Sequence, residues 1–143
     1  MDPLDEISVS PIKVISNPKG NVLHALKQSD NSFVGFGEAY FSFIDEGEIK
    51  GWKRHHKMFL NIIVPIGKIK FVIYDDRPDS KSLNTFSEFI IGPHNYLRLK
   101  VPPMVWMAFQ GIDESNLLLN IANIEHSPFE SESREITEFD FKW

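Results

Sequence analysis

The segment Lys50-Gly51-Trp52-Lys53-Arg54-His55-His56-Lys57 gathers more chemically able side chains than any other stretch of the chain. An imidazole takes up and releases protons near neutral pH, and an ammonium beside it can steady negative charge on an oxygen. On a strand, successive side chains alternate faces, so Lys53 and His55 fall on one side and Arg54 and His56 on the other. Two readings follow. The segment is either a solvated edge strand whose charges discourage further pairing, or one wall of a ligand cavity. It does not make a metal site by spacing: His55 and His56 diverge, no nearby Glu completes a set, and His24, His94 and His126 are scattered.

Two further segments carry polar or aromatic chemistry. Pro102-Pro103-Met104-Val105-Trp106-Met107-Ala108-Phe109 reads as a proline-bounded turn into an apolar, core-filling strand. Asn120, Asn123, Glu125 and His126 form a polar island after the apolar Leu117 to Leu119, where strand-end hydrogen bonding to backbone is the ordinary role. Gly35-Phe36-Gly37 lacks the third glycine and the following helix of a phosphate loop. No nucleophile elbow or paired-carboxylate motif occurs.

The elements that must position these residues are short and β-like. Lys68-Ile69-Lys70-Phe71-Val72-Ile73-Tyr74-Asp75 alternates with Ile69, Phe71 and Ile73 on one face, and Tyr96 to Val101 alternates again before Pro102-Pro103 stops it. Pro11 to Ile15, Val22 to Leu26, Glu38 to Ile44, Ile49 to His56, Met58 to Val64, Ser87 to Ile91, Val105 to Phe109, Leu117 to Ile124 and Glu138 to Phe141 complete the strand set, and turn signals separate them. Only Ser82–Ile91 and Ser131–Glu138 offer a helical turn. About ten closely spaced strands without a long helix predict an all-β sandwich or barrel.

Composition agrees. The 143 residues are 42% hydrophobic and 24% charged, enough for one core and too apolar for a disordered chain, so residues 1–143 are expected to form a single domain. Net charge is −5, which argues against wholesale binding of nucleic acid. No cysteine is present, which excludes disulfides, zinc–thiolate sites and a thiol nucleophile. The acidic start and the absence of a long apolar run predict no secretory leader and no membrane span. A cytoplasmic location is expected.

From Gly47 to Pro128 the order of motifs resembles the dTDP-4-dehydrorhamnose 3,5-epimerase family of nucleotide-sugar enzymes. That family shows an Arg-Gly-Leu-His strand, an apolar strand, a glycine turn, a strand ending Asp-x-Arg, a Ser-x-Thr-Phe segment and a Pro-Pro-Gly-x-x-His-Gly-Phe strand entry. The matching pieces are Lys50-Gly51-Trp52-Lys53, Leu60 to Val64, Gly67, Asp75-Asp76-Arg77, Ser82 to Phe86 and Pro102 to Phe109. The resemblance implies a cupin-type jelly-roll β-barrel, a homodimer, and no cofactor or metal. It places Lys53 at the family's catalytic histidine, Leu60 at its lysine, Met107 at the histidine of the Pro-Pro-Gly turn and Asn120 near its tyrosine acid.

The activity implied is epimerisation or isomerisation of a 4-keto-6-deoxy sugar nucleotide in cell-surface polysaccharide biosynthesis. The chemistry is proton abstraction beside a carbonyl. His55 is then expected to be the base, Lys53 the holder of the enolate oxygen and His126 the donor of the returning proton. Lys50, Asn61, Trp106 and Asn120 are expected to bind the substrate, Lys50 at a phosphate. The alternatives are a non-catalytic nucleotide-sugar-binding cupin or partner protein in polysaccharide assembly, and a cupin with unrelated small-molecule chemistry.

Overall fold

In the computed structural model, which describes residues 1–143, twelve strands follow one another with two single-turn 3₁₀ helices at Pro3–Asp5 and Ile136–Glu138. The first six strands are β1 (Ser8–Pro11), β2 (Val14–Ile15), β3 (Val22–Leu23), β4 (Glu38–Asp45), β5 (Ile49–His55) and β6 (Leu60–Ile66). The rest are β7 (Ile69–Asp75), β8 (Thr85–Ile91), β9 (Leu97–Val101), β10 (Trp106–Gly111), β11 (Ser115–Ala122) and β12 (Ser131–Ser133). They form two antiparallel five-stranded sheets, β1-β9-β6-β11-β4 and β12-β5-β10-β7-β8, with β2 and β3 a separate ribbon. No helix is long and apolar enough to cross a membrane. This is the jelly roll that the strand pattern and the resemblance predicted.

The alternation of β7 explains how the sandwich closes. Ile69, Phe71 and Ile73 are fully buried in the main core between the sheets, with Ile62, Val64, Leu99 and Leu118 opposite. Val72 is buried as well, but on the outer side, in a second cluster with Trp52, Trp106 and Ala108. Gly67 takes φ +82 in the β6–β7 turn, and a Cβ there would overlap the Ser115 carbonyl oxygen, so only glycine lets the two strands turn beside β11.

Two expectations about local structure are corrected. The strand reading of Ser87 to Ile91 holds and the helical turn offered for Ser82–Ile91 does not: Thr85–Ile91 pairs residue by residue with Asp75–Ile69, a ladder that a run of Thr, Phe and Ile favours. Glu138 to Phe141 is not a strand. Its alternation is spent on side chains instead, because Phe139, Phe141 and Trp143 pack on the outer cluster. Phe139 lies 5.2 Å from Trp52 and 4.7 Å from Tyr74, and Phe141 lies 5.4 Å from Phe86. The chain end thus roofs the outer face of the second sheet.

That roof predicts a graded stability effect. Trp52→Ala removes a fully buried indole and should cost about 3–5 kcal/mol. Phe139→Ala, half-buried against it, should cost about 1–3 kcal/mol. Urea unfolding followed by tryptophan fluorescence reads both, and equal small effects from the two would contradict the second core.

Candidate active site

A cavity of about 250 Å³ opens between the sheets, walled by β4, β6, β9 and β11 on one side and β5 and β10 on the other. Leu60, Ile62 and Leu118 give it an apolar floor. Its polar side chains are Tyr40, Ser42, Lys50, Lys53, His55 and Asn120, and no Asp or Glu lines it.

The strand β5 supplies most of the chemistry, and it does so through face alternation and a bulge. Lys53 and His55 both face the cavity, while Trp52 between them is fully buried on the other side. Parity alone would send Lys50 outward with Arg54 and His56. The pairing with β10 shows why it is not: Met107 opposes Lys53 and Phe109 opposes Lys50, so β5 carries one extra residue between these pairs. That bulge turns Lys50 back inward. The ammonium of Lys50 donates to Ser42 Oγ at 2.9 Å and to the Phe43 carbonyl at 2.8 Å, stitching β5 to β4 and leaving one N–H for a ligand. Since β12 and β10 flank it, β5 is no edge strand, and the cavity-wall reading replaces the solvated-edge one.

His55 is held neutral. Burial and then the Lys53 charge depress its pKa to about 4, against the opposing pull of Glu130. Nδ1 of His55 is buried without a hydrogen-bond partner. Glu130 is itself nearly buried, its Oε1 accepting from the backbone N–H groups of Lys57 (2.7 Å) and Met58 (2.8 Å), and those bonds keep its carboxylate below the usual range despite burial. Lys53 enters none of the ion pairs of the chain. The turn after β9 reaches the same place: Met104, where the resembling motif has glycine, adopts φ 68 and its N–H donates to the His55 carbonyl at 2.8 Å.

The opposite face of β5 is a structural latch. Glu132 accepts from Arg54 Nη2 at 2.7 Å, contacts His56 Nε2 at 2.9 Å and meets Arg134 at 3.2 Å. The Arg54 and His56 hydrogen bonds hold its carboxyl down at about 2. The guanidinium groups of Arg54 and Arg134 lie over the Trp106 ring, 4.6 and 5.1 Å from its centroid.

Of the residues singled out by sequence, Lys50, Lys53, His55 and Asn120 come together in the cavity. Three do not. Trp106 faces the outer cluster, because its neighbours Met107 and Phe109 take the inward parity of β10. Asn61 falls between the inward Leu60 and Ile62, so it points outward and donates to the Ser32 carbonyl at 2.8 Å under a surface loop. His126 lies outside the cavity lining, exposed, with its backbone N–H on Glu38 Oε1; it reaches His55 only as a charge that lowers the latter's pKa. Sequence reasoning missed Tyr40, whose hydroxyl accepts from Asn120 Nδ2 at 2.9 Å. A signal existed: on β4 the polar Tyr40 and Ser42 share the inward parity while Phe41 and Phe43 are exposed, the reverse of an ordinary half-buried strand. No group of three His, Asp or Glu side chains stands close enough to hold a metal ion.

A jelly roll with a cation-lined, carboxylate-free cavity and a neutral histidine beside a lysine defines a cupin-type site for an anionic small molecule. No family model matches the chain. It is 34% identical to a dTDP sugar isomerase from Desulfovibrio desulfuricans, covering 99% of this chain and 92% of that one with a TM-score of 0.93. The chain therefore belongs to the dTDP-sugar isomerase family of cupin-fold enzymes, that of the dTDP-4-dehydrorhamnose 3,5-epimerases, and is an isomerase-type enzyme. It is also 28% identical over 123 residues to the probable low-salt glycan biosynthesis epimerase Agl13 of Haloferax volcanii (84% of this chain, 79% of that protein). The Sulfolobus tokodaii dTDP-4-dehydrorhamnose 3,5-epimerase shares the fold, at 22% identity and a TM-score of 0.83 over 94% of this chain and 80% of that one.

The depressed His55 pKa predicts a pH dependence of stability. Between about 4 and 6.5 the unfolded chain binds a proton at this position that the folded chain does not. Stability from this group is therefore complete above pH 6.5 and is lost as pH falls toward 4. Urea midpoints at pH 5 and 7 should differ, and His55→Gln should flatten that slope; an unchanged slope would place the pH sensitivity elsewhere.

Proposed function

We propose that the chain epimerises or isomerises a 4-keto-6-deoxy sugar nucleotide in cell-surface polysaccharide biosynthesis, by proton abstraction next to the ketone and without a cofactor. The observation that carries the reading is the placement of Lys53 and His55 side by side on the cavity face of β5. His55, uncharged at neutral pH, has a lone pair ready to take the proton of the carbon adjacent to the ketone. The carbonyl oxygen becomes an enolate, and Lys53, without a carboxylate partner, holds that charge. The remaining N–H of Lys50 is suited to a phosphate oxygen of the nucleotide.

Support for the substrate class comes from relatives. The Desulfovibrio protein is named for dTDP sugars, the Haloferax one for glycan biosynthesis, and a spore coat polysaccharide biosynthesis protein of Bacillus subtilis, SpsL, is 24% identical over 134 residues. We place the reaction in the cytoplasm and assign it to a homodimer. Exposed Phe41 and Phe43 on β4, the edge of the first sheet, favour self-association through that sheet. Sedimentation at micromolar concentration should give a dimer, and Phe43→Asp should shift it toward monomer.

The assignment of roles predicts kinetics. In heavy water, dTDP-4-keto-6-deoxyglucose should gain deuterium beside its ketone. His55→Ala should slow this by about 10²–10⁴-fold, and Lys53→Ala by about 10²–10³-fold. His56→Ala, on the far face, should stay near wild type. A dead His56→Ala with an active His55→Ala would reverse the strand faces, and binding without any exchange would favour a non-catalytic nucleotide-sugar module. The kcat/KM profile should also carry an acid limb near pH 4. Lys53→Met should move that limb upward, since the lysine charge is, after burial, the largest cause that depresses His55.

A further inference from the structure

We infer that Asn120 selects which carbon beside the ketone reacts: it accepts from the hydroxyl of C3, so the proton is removed there and not at C5. This rests on the reading just given and names the position which that reading leaves open. It narrows the reaction relative to enzymes named for both the 3 and the 5 positions.

Two cavity-lining residues keep a buried polar atom without a hydrogen-bond partner, and they stand on facing walls: His55 Nδ1 on β5 and Asn120 Oδ1 on β11. Asn120 is 2% exposed. Its amide is oriented by Tyr40, directly opposite in register on β4, whose oxygen accepts from Nδ2 at 2.9 Å. Its register partner on the other side is Ile62, and its neighbour along the same strand face is Leu118, so these neighbours bring Oδ1 no donor. Across the cavity, Lys50 is already bonded to Ser42 and to the Phe43 carbonyl. A buried carbonyl oxygen left unpaired is costly, and what relieves it is a ligand that brings an O–H or N–H.

A 4-keto-6-deoxy sugar offers that donor on one side of its ketone only. C3 carries a hydroxyl, whereas C5 carries the ring oxygen and the C6 methyl, neither of which can donate. When the C3–H bond points at His55, the hydroxyl on the same tetrahedral carbon is directed away from β5, and the wall it can reach is the one that holds Asn120. Turning the sugar to offer C5–H would set an ether oxygen or a methyl against Oδ1 and leave it buried and unpaired. The step balances. His55 takes the C3 proton, the C–H bonding pair becomes the C3–C4 double bond, and the carbonyl π pair moves onto the oxygen that Lys53 holds. In heavy water the imidazolium exchanges its proton for a deuteron and returns it to C3, which restores the ketone.

Proton NMR in heavy water reads both carbons of dTDP-4-keto-6-deoxyglucose at once. The wild type should lose its H3 signal about 10–10²-fold faster than its H5 signal. Asn120→Leu, close in volume and without the amide, should bring the two rates together, where a merely structural loss would slow both alike and keep their ratio. A second readout needs no turnover. The analogue lacking the C3 hydroxyl, dTDP-4-keto-3,6-dideoxyglucose, should bind the wild type about 10–10²-fold more weakly than the parent, and Asn120→Leu as well as the parent does. Both wild-type measurements stand whether or not the variant folds. Loss of H5 at or above the rate of H3, an analogue that binds the wild type as the parent does, or a ratio unchanged in Asn120→Leu overturns the assignment while leaving His55 as base. Binding with exchange at neither carbon overturns both it and the reading beneath it.

Discussion

The site depends on where Trp52 is buried. Its indole is fully enclosed on the outer face of β5, with Phe139 edge-on at 5.2 Å, Trp143 at 6.1 Å and Nε1 donating to the Ile136 carbonyl at 3.2 Å. A strand that must put one residue outward must put its neighbours inward, and slipping by one would turn the indole and Arg54 into the cavity and push Lys53 and His55 into the outer aromatic cluster. The second core thus fixes which way Lys53 and His55 face. Arg54, His56 and Arg134 then close on Glu132 from the outside, so the charged residues of β5 are sorted into a latch and a reactive face by one buried ring.

Lysine beside histidine sets a compromise between availability and strength. Desolvation and the Lys53 charge keep His55 unprotonated across the physiological range, yet the same two causes weaken it as a base. In the proposed reaction an anionic nucleotide sugar entering beside Lys53 would oppose the lysine field, and the imidazole would gain proton affinity. The oxyanion formed on the sugar acts in the same direction. On that proposal, the ammonium that suppresses the empty-state basicity of His55 is the group whose influence the reaction would cancel. Glu130, anchored by two backbone N–H groups beneath the same histidine, supplies a fixed counterweight.

Much of the fold was legible because alternation is a local property. The faces of β7 and the pairing of Lys53 with His55 follow from counting by twos. The placement of Lys50 does not, because the bulge that re-aims it exists only in the register between β5 and β10. Asn61 and Trp106 lie outside the cavity for a related reason: position within a matched strand says nothing of parity, and Leu60, Ile62, Met107 and Phe109 already held the inward places. The terminal Phe139-x-Phe141-x-Trp143 imitates a strand by period, although what it fits is a set of aromatic grooves, which only the assembled sheet presents. Tyr40 needed two strands at once, since its relevance comes from Asn120 eighty residues away in sequence.

The chain carries a net charge of −5, which by itself would repel a nucleotide sugar. The distribution resolves the conflict. None of the twenty Asp and Glu residues lines the cavity, whereas two of the fifteen Lys and Arg residues do. Acidic side chains near it are tied up: Glu130 by backbone amides and Glu132 by Arg54 and Arg134. Low-dielectric walls of Leu60, Ile62 and Leu118 concentrate the field of the two ammonium groups toward the opening. The protein thus stays anionic as a whole while offering a cationic pocket. Selection of an anion is a property of this cavity and not of the overall surface.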